Sequence, residues 1–165
     1  MTTQETYLEI SGRQSGKTKR LIEAVKKHAE ENGIALVVVH DGLTDHMREK
    51  LPDIGVVVIP EHLMHSKLVT GIEPQLKNVR WFFDEFDWLK DVPVKEGAYY
   101  CTTARYLRKQ DAKAEGDTLL KLVDKLGQPS VRLPSPISKE DAAEHYENET
   151  ERALLLEAQY MEPHP

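Results

Sequence analysis

Ser11, Gly12, Arg13, Gln14, Ser15, Gly16, Lys17 and Thr18 run consecutively. They fit the phosphate-loop pattern G-x-x-x-x-G-K-[ST], with serine in the first glycine place. A triphosphate concentrates negative charge and acceptor oxygens. Backbone N–H groups turned inward, together with the positive end of a following helix, suit such a ligand. Gly12 and Gly16 are expected to let the backbone come close, Lys17 to reach the β- and γ-phosphates, and Thr18 to place its hydroxyl on Mg²⁺. Ser11 carries a steric cost if its φ must be positive.

Asp84 and Glu85 form a second chemical pair, at the end of the apolar run Trp81-Phe82-Phe83. In an open α/β sheet, ligands bind at the carboxyl ends of strands, so this pair and the loop are expected at one crevice. Asp84 is then the metal ligand, and Glu85 the base that orients and activates an attacking water. Thr102 and Thr103 end the next candidate strand. Two readings of them stay open: hydroxyls facing the γ-phosphate or the lytic water, with Thr103 catalytic, or threonines that simply suit a strand. Arg105, Arg108, Lys109 and Lys113 fall at i, i+3, i+4 and i+8. On one helix face they offer phosphate or partner contacts, or a solvated charged surface. Arg13 is placed to face the nucleotide or a partner. His62 and His65 lack a third metal ligand at clear spacing, Trp88 is available to stack on a base, and Cys101 reads as a buried strand residue.

Elements at the right spacing surround these residues. A short apolar run, residues 7–10, precedes the loop. Leu21, Ile22, Val25 and Ala29 predict a helix over residues 16–32, ended by Gly33. Residues 34–39 and 55–59 are β-branched runs suited to parallel strands covered on both faces. Residues 41–51 read as a short helix before Pro52, residues 61–67 as a helical turn, and residues 70–78 as a connector. Strands are expected at 80–85 and 98–103, and a mostly helical stretch at 105–126, interrupted at Gly116 and stopped by Gly127. An edge strand over 130–133 leads into an extended linker, Pro134-Ser135-Pro136. One acidic tail helix then begins at Ser138, with Asp141 at its third position. Strands alternating with helices predict an α/β fold, a three-layer α/β/α sandwich on a mainly parallel sheet of five to six strands. The expected division is an NTPase domain over residues 1–133, and a linker with an acidic helix over 134–165.

The 165 residues suit one domain with a sizeable core. The net charge of −6 argues against a bulk nucleic-acid binder but leaves room for a local basic face. A single cysteine excludes an internal disulfide and a cysteine-rich zinc site. No signal peptide and no run of about 18 apolar residues is visible, so a cytoplasmic location and no membrane partner are expected.

The motifs together resemble the ATPase lobe of superfamily 2 helicases and of phage terminase large subunits. Asp84-Glu85-Phe86-Asp87 is similar to the helicase D-E-x-D box. Arg13-Gln14-Ser15-Gly16-Lys17-Thr18 resembles the terminase loop R-Q-x-G-K-[ST], and Thr102-Thr103-Ala104 resembles the coupling motif that follows in both groups. The resemblance covers residues 6 to about 105. It implies that this is a single RecA-like P-loop NTPase lobe of the additional-strand, catalytic-glutamate type, with metal binding at Asp84, water activation at Glu85, and Asp87 coupled to the third motif. It further implies a phage-encoded protein in a host cytoplasm. A second lobe with arginine fingers and a terminase nuclease domain are both absent from these residues.

The expected function is Mg²⁺-dependent hydrolysis of ATP, coupled to DNA or to assembly, with an arginine finger from a partner or a second copy. A nucleoside or nucleotide kinase is the alternative, although the four-cysteine zinc site and arginine-rich lid of the small thymidine kinases are missing. A non-catalytic nucleotide-binding adaptor, docking a partner through the acidic tail, is a third.

Overall fold

The computed structural model describes residues 4–146 and 148–164. The apolar runs become five strands: β1 (Tyr7–Ile10), β2 (Ile34–Val39), β3 (Val56–Pro60), β4 (Val79–Asp84) and β5 (Tyr99–Thr102). Every pairing is parallel, and the order is β1-β5-β4-β2-β3. The strand that ends in Thr102 thus lies between the strand leading into the loop and the strand ending in Asp84. This order is compatible with a single RecA-like lobe.

Alternation along the strands gives the sheet two apolar faces. Ala35, Val37, Val39, Phe82, Tyr99 and Cys101 pack on one side with Leu21, Val25 and Met47. These come from α1 (Lys17–Glu30) and α2 (Thr44–Lys50). Leu8, Ile10, Leu36, Val38, Trp81, Phe83 and Tyr100 face the other way. Against them pack Val69 of α3 (Lys67–Ile72), the leucines of α4 (Thr118–Leu126), and Leu154 of α6 (Glu149–Leu155). The result is three layers, α/β/α. Among the described residues, no helix is long and apolar enough to cross a membrane.

Several boundaries differ from the sequence reading. At the end of α1 the left-handed residue is Asn32 (φ 62°), not Gly33. Gly33 instead closes the cap, its N–H donating to the His28 carbonyl at 3.0 Å. Part of the expected connector is α3, started by Ser66, whose hydroxyl accepts from the Val69 N–H at 3.3 Å. The sixth strand reduces to one parallel bridge between Glu9 and Val131. The tail holds two helices rather than one: α5 (Lys139–His145), capped by Ser138 as expected, and α6. The break follows from Asn148, whose side chain accepts from the Thr150 N–H and starts a new helix.

The largest departure is the stretch 105–126, of which only α4 is helical. Residues 105–117 are irregular. Arg108 turns inward there and binds Asp87 and Asp117, and these tertiary ion pairs override a strong local helix propensity.

Candidate functional site

The loop leaves β1 and ends in α1. Positive φ falls on Gln14 (54°) and Gly16 (84°), the latter being the residue that caps the helix. Ser11 is outside the left-handed region, so the steric cost expected of it does not arise. Among the described residues, no acceptor takes the N–H groups of Gln14, Ser15, Gly16, Lys17 or Thr18. A row of donors at the start of a long helix is a ready anion cradle.

Two residues that the motif does not mention hold this loop. Glu9 lies fully buried in β1 and takes a two-pronged bond from Arg20, at 2.8 and 2.7 Å. The same guanidinium donates to the Ser15 carbonyl at 2.7 Å. Arg20 therefore ties the back of the loop to the strand beneath it. The polar Glu9 inside an apolar run was the available signal, since a buried carboxylate needs a cation.

β4 delivers the acids. It leaves the sheet through Glu85, whose φ of 49° and ψ of 44° are left-handed. A non-glycine residue rarely adopts that conformation, and such strain concentrates at functional positions. The turn brings the Glu85 carboxylate to 2.7 Å from the Lys17 ammonium. Its other oxygen accepts from the Thr103 N–H at 3.0 Å and lies 3.4 Å from the Thr102 hydroxyl. Asp84 is buried, and its Oδ1 accepts from the Thr18 hydroxyl at 3.3 Å and from the Cys101 thiol at 3.3 Å. Burial, then the neighbouring Glu85 charge, raises the Asp84 carboxyl above its ordinary pKa, against the opposing pull of Cys101, Lys17 and Thr18. Burial likewise pushes the Cys101 thiol well up, which makes it a donor to Asp84 and not a nucleophile.

Thr18 and Asp84 thus present two oxygens side by side at the loop. Hard oxygen donors of this kind, with one buried carboxylate, fit Mg²⁺, which keeps several waters and completes its shell with phosphate oxygens. Among the described residues no three His, Cys, Asp or Glu side chains gather at one point. His62 pairs with Asp41 at 3.0 Å, and His65 bonds the Asp91 carbonyl at 2.8 Å.

The remaining candidates divide. Thr103 lies beside Glu85, but its hydroxyl donates to the Ser11 carbonyl at 2.9 Å. It ties the end of β5 to the loop through this bond. Arg105, Arg108, Lys109 and Lys113 form no helical face, because residues 105–117 are not helical. Arg108 is buried between Asp87 and Asp117 and is excluded as a phosphate contact. Arg105 sits over Trp88, 5.9 Å from the ring centre. Its backbone N–H donates to Asp87 at 2.7 Å, and the Asp87 N–H reaches the Thr102 hydroxyl at 3.4 Å, so Asp87 contacts the start of the third motif and the residue that follows it. Lys109 is exposed.

Beside Glu85 opens a cavity of about 280 Å³, lined by Arg13, His40, Leu43, Trp88, Thr103 and Leu155. Trp88 is half exposed there and donates its indole N–H to the Thr103 carbonyl at 2.9 Å. Leu155 comes from the tail, which is therefore no separate appendage. Comparison with family models, with curated proteins and with solved structures finds no match for the chain.

Proposed function

We propose that this chain binds a nucleoside triphosphate, with ATP as the first candidate, and cleaves its terminal phosphoanhydride. The observation that carries the reading is the Lys17–Glu85 pair at 2.7 Å, set beside the Gln14 to Thr18 stretch of the loop, whose N–H groups have no acceptor among the described residues. A base and a phosphate-binding cation meet there, at the carboxyl edge of a parallel sheet. The loop amides take the β-phosphate oxygens, and Lys17 moves from Glu85 to the β- and γ-phosphates. Released from its ion pair, the carboxylate accepts a proton from a water in line with the γ-phosphorus. The water oxygen bonds to phosphorus as the bridging P–O bond breaks, and the electron pair leaves on the β-phosphate. Thr18 and Asp84 would hold Mg²⁺, which supplies charge neutralisation on the phosphate oxygens. Arg13, on the cavity beside Glu85, gives the chain a guanidinium of its own on that side. An arginine finger from a partner or second copy is therefore not the sole source of such a charge.

One observation favours a second reading. A cavity of about 280 Å³ next to the proposed base exceeds what a single lytic water fills. Leu43, Trp88 and Leu155 suit an organic acceptor whose hydroxyl Glu85 deprotonates, which makes the reaction a phosphoryl transfer. The tail's acidic residues and a nucleic-acid partner find no comparable support at the site.

Phosphate release from ATP and Mg²⁺, measured without and with nucleosides or single-stranded DNA, separates the readings. Release without an acceptor is expected for the hydrolase, and a phosphorylated acceptor for the kinase. Lys17→Ala should weaken nucleotide binding at least tenfold, about 1.4 kcal/mol. Unchanged binding in that variant sinks both.

A further inference from the structure

The front of the loop is held by the C-terminal segment. The Gly12 N–H donates to the Leu133 carbonyl at 2.8 Å and the Arg13 N–H to the Leu155 carbonyl at 2.5 Å. In return, the Leu133 N–H donates to the Ser11 hydroxyl at 3.2 Å. The two tail stretches are tied to each other, because the Ser135 N–H donates to the Leu156 carbonyl at 2.6 Å. Packing at Gly12 is so close that a Cβ there would lie 2.6 Å from the Ser135 nitrogen and 2.7 Å from the Leu156 oxygen. Those neighbours are backbone atoms and cannot swing aside. Leu154 anchors the same segment in the core below the sheet.

The loop is therefore divided. Ser11, Gly12 and Arg13 spend their N–H groups inside the protein, on β5 and on the tail. Among the described residues, Gln14 to Thr18 keep theirs free. A lid that blocked the site would cover the free donors, whereas the tail touches only the front half and leaves the cradle open. We propose that the C-terminal segment is a brace that holds the phosphate loop in its binding-competent shape, and that Ser11 is the positioning residue that latches it. This rests on the nucleotide-binding reading above. It also explains the serine in the first glycine place: glycine has no oxygen to accept from the Leu133 N–H. The glycine that follows serves the approach of the tail, not of a phosphate.

The motif by itself predicts that Ser11→Gly restores a standard loop and binds nucleotide as well or better. The brace predicts the reverse. Ser11→Gly and Ser11→Ala should each lower the affinity for a fluorescent ATP analogue by about tenfold, within the usual range of coupling between sites. Gly12→Ala should do the same by pushing the tail away. Thermal unfolding of each variant reports whether the fold persists. Should they fail to fold, the unmodified chain still decides: by reciprocity, the nucleotide must slow hydrogen exchange at the Leu133 and Ser135 amides. Equal or tighter binding by folded Ser11→Gly overturns the brace. So does nucleotide binding that leaves those two amides unchanged. Failure of the unmodified chain to bind the analogue at all is a different result, which removes the nucleotide reading and the brace with it.

Discussion

Glu85→Gln splits binding from chemistry, and the structure sets the direction of both. Lys17 Nζ lies 2.7 Å from Glu85 Oε1, with the lysine side chain 9% and the glutamate 30% exposed. A triphosphate must draw Lys17 out of that pair. Fully exposed pairs contribute about 0.2–1 kcal/mol, and the desolvation of burial offsets part of any further Coulombic gain, so this partly screened pair is set at about 1 kcal/mol. Glutamine keeps a carbonyl for the Thr103 N–H, which now reaches Glu85 at 3.0 Å. It has no charge to hold Lys17. Nucleotide should therefore bind about fivefold tighter to the variant, the equivalent of that 1 kcal/mol. Turnover should fall by about 10²–10⁴, because the amide accepts no proton from the attacking hydroxyl or water. Fluorescent-nucleotide titration gives the first number and phosphate release the second. Turnover within about a factor of two of the parent would refute Glu85 as the base. A loss of affinity that parallels the loss of turnover would refute the competition between Glu85 and phosphate for Lys17.

The buried triad predicts effects on stability rather than on ligand binding. Arg108→Met leaves the carboxylates of Asp87 and Asp117, whose side chains are 8% and 11% exposed, without their cation. Stability should drop by about 3–5 kcal/mol in urea titration, and a drop below about 1 kcal/mol would return Arg108 to the surface. The same triad shapes acid unfolding. Burial alone would raise the Asp117 carboxyl, but its bonds to Arg108, with the Leu120 N–H and Tyr106 hydroxyl, leave it below its ordinary value. The unfolded chain then takes up this proton more readily than the native one. The stabilisation is complete above the unfolded pKa of about 3.9 and is lost as pH falls below it through the folded value. That low-pH leg should be shallower in Arg108→Met than in the parent.

Legibility in the sequence followed the range of the forces involved. The strands were readable because β-branched and aromatic runs such as Ile34–Val39 and Val79–Asp84 suit a sheet covered on both faces. The meeting of loop and acids was readable because both leave the carboxyl ends of parallel strands. Residues 105–117 misled because Arg, Leu, Lys, Gln, Ala and Glu favour a helix locally. The winning terms there are bonds from Arg108 to Asp87, at a separation of 21 residues. For Thr103 two readings stayed open for a related reason: a strand-end hydroxyl can face a ligand or a neighbouring carbonyl, and the bond it makes depends on where Ser11 lies.

By itself the amino-acid sequence determined the class of fold, the loop's donor geometry around Gly16, and the identity of the residues at the sheet's carboxyl edge. These depend on residue type, on periodicity and on spacing of a few residues. Only the tertiary structure decided that Glu9 and Arg20 hold the back of the loop, that Leu133 and Leu155 hold its front, and that Arg108 is buried and paired. Each of those is a bond between segments distant in sequence, or between a buried group and the one partner that offsets its desolvation. No local pattern encodes where the tail returns, so the bond from the Leu133 N–H to the Ser11 hydroxyl is decided by the tertiary structure alone.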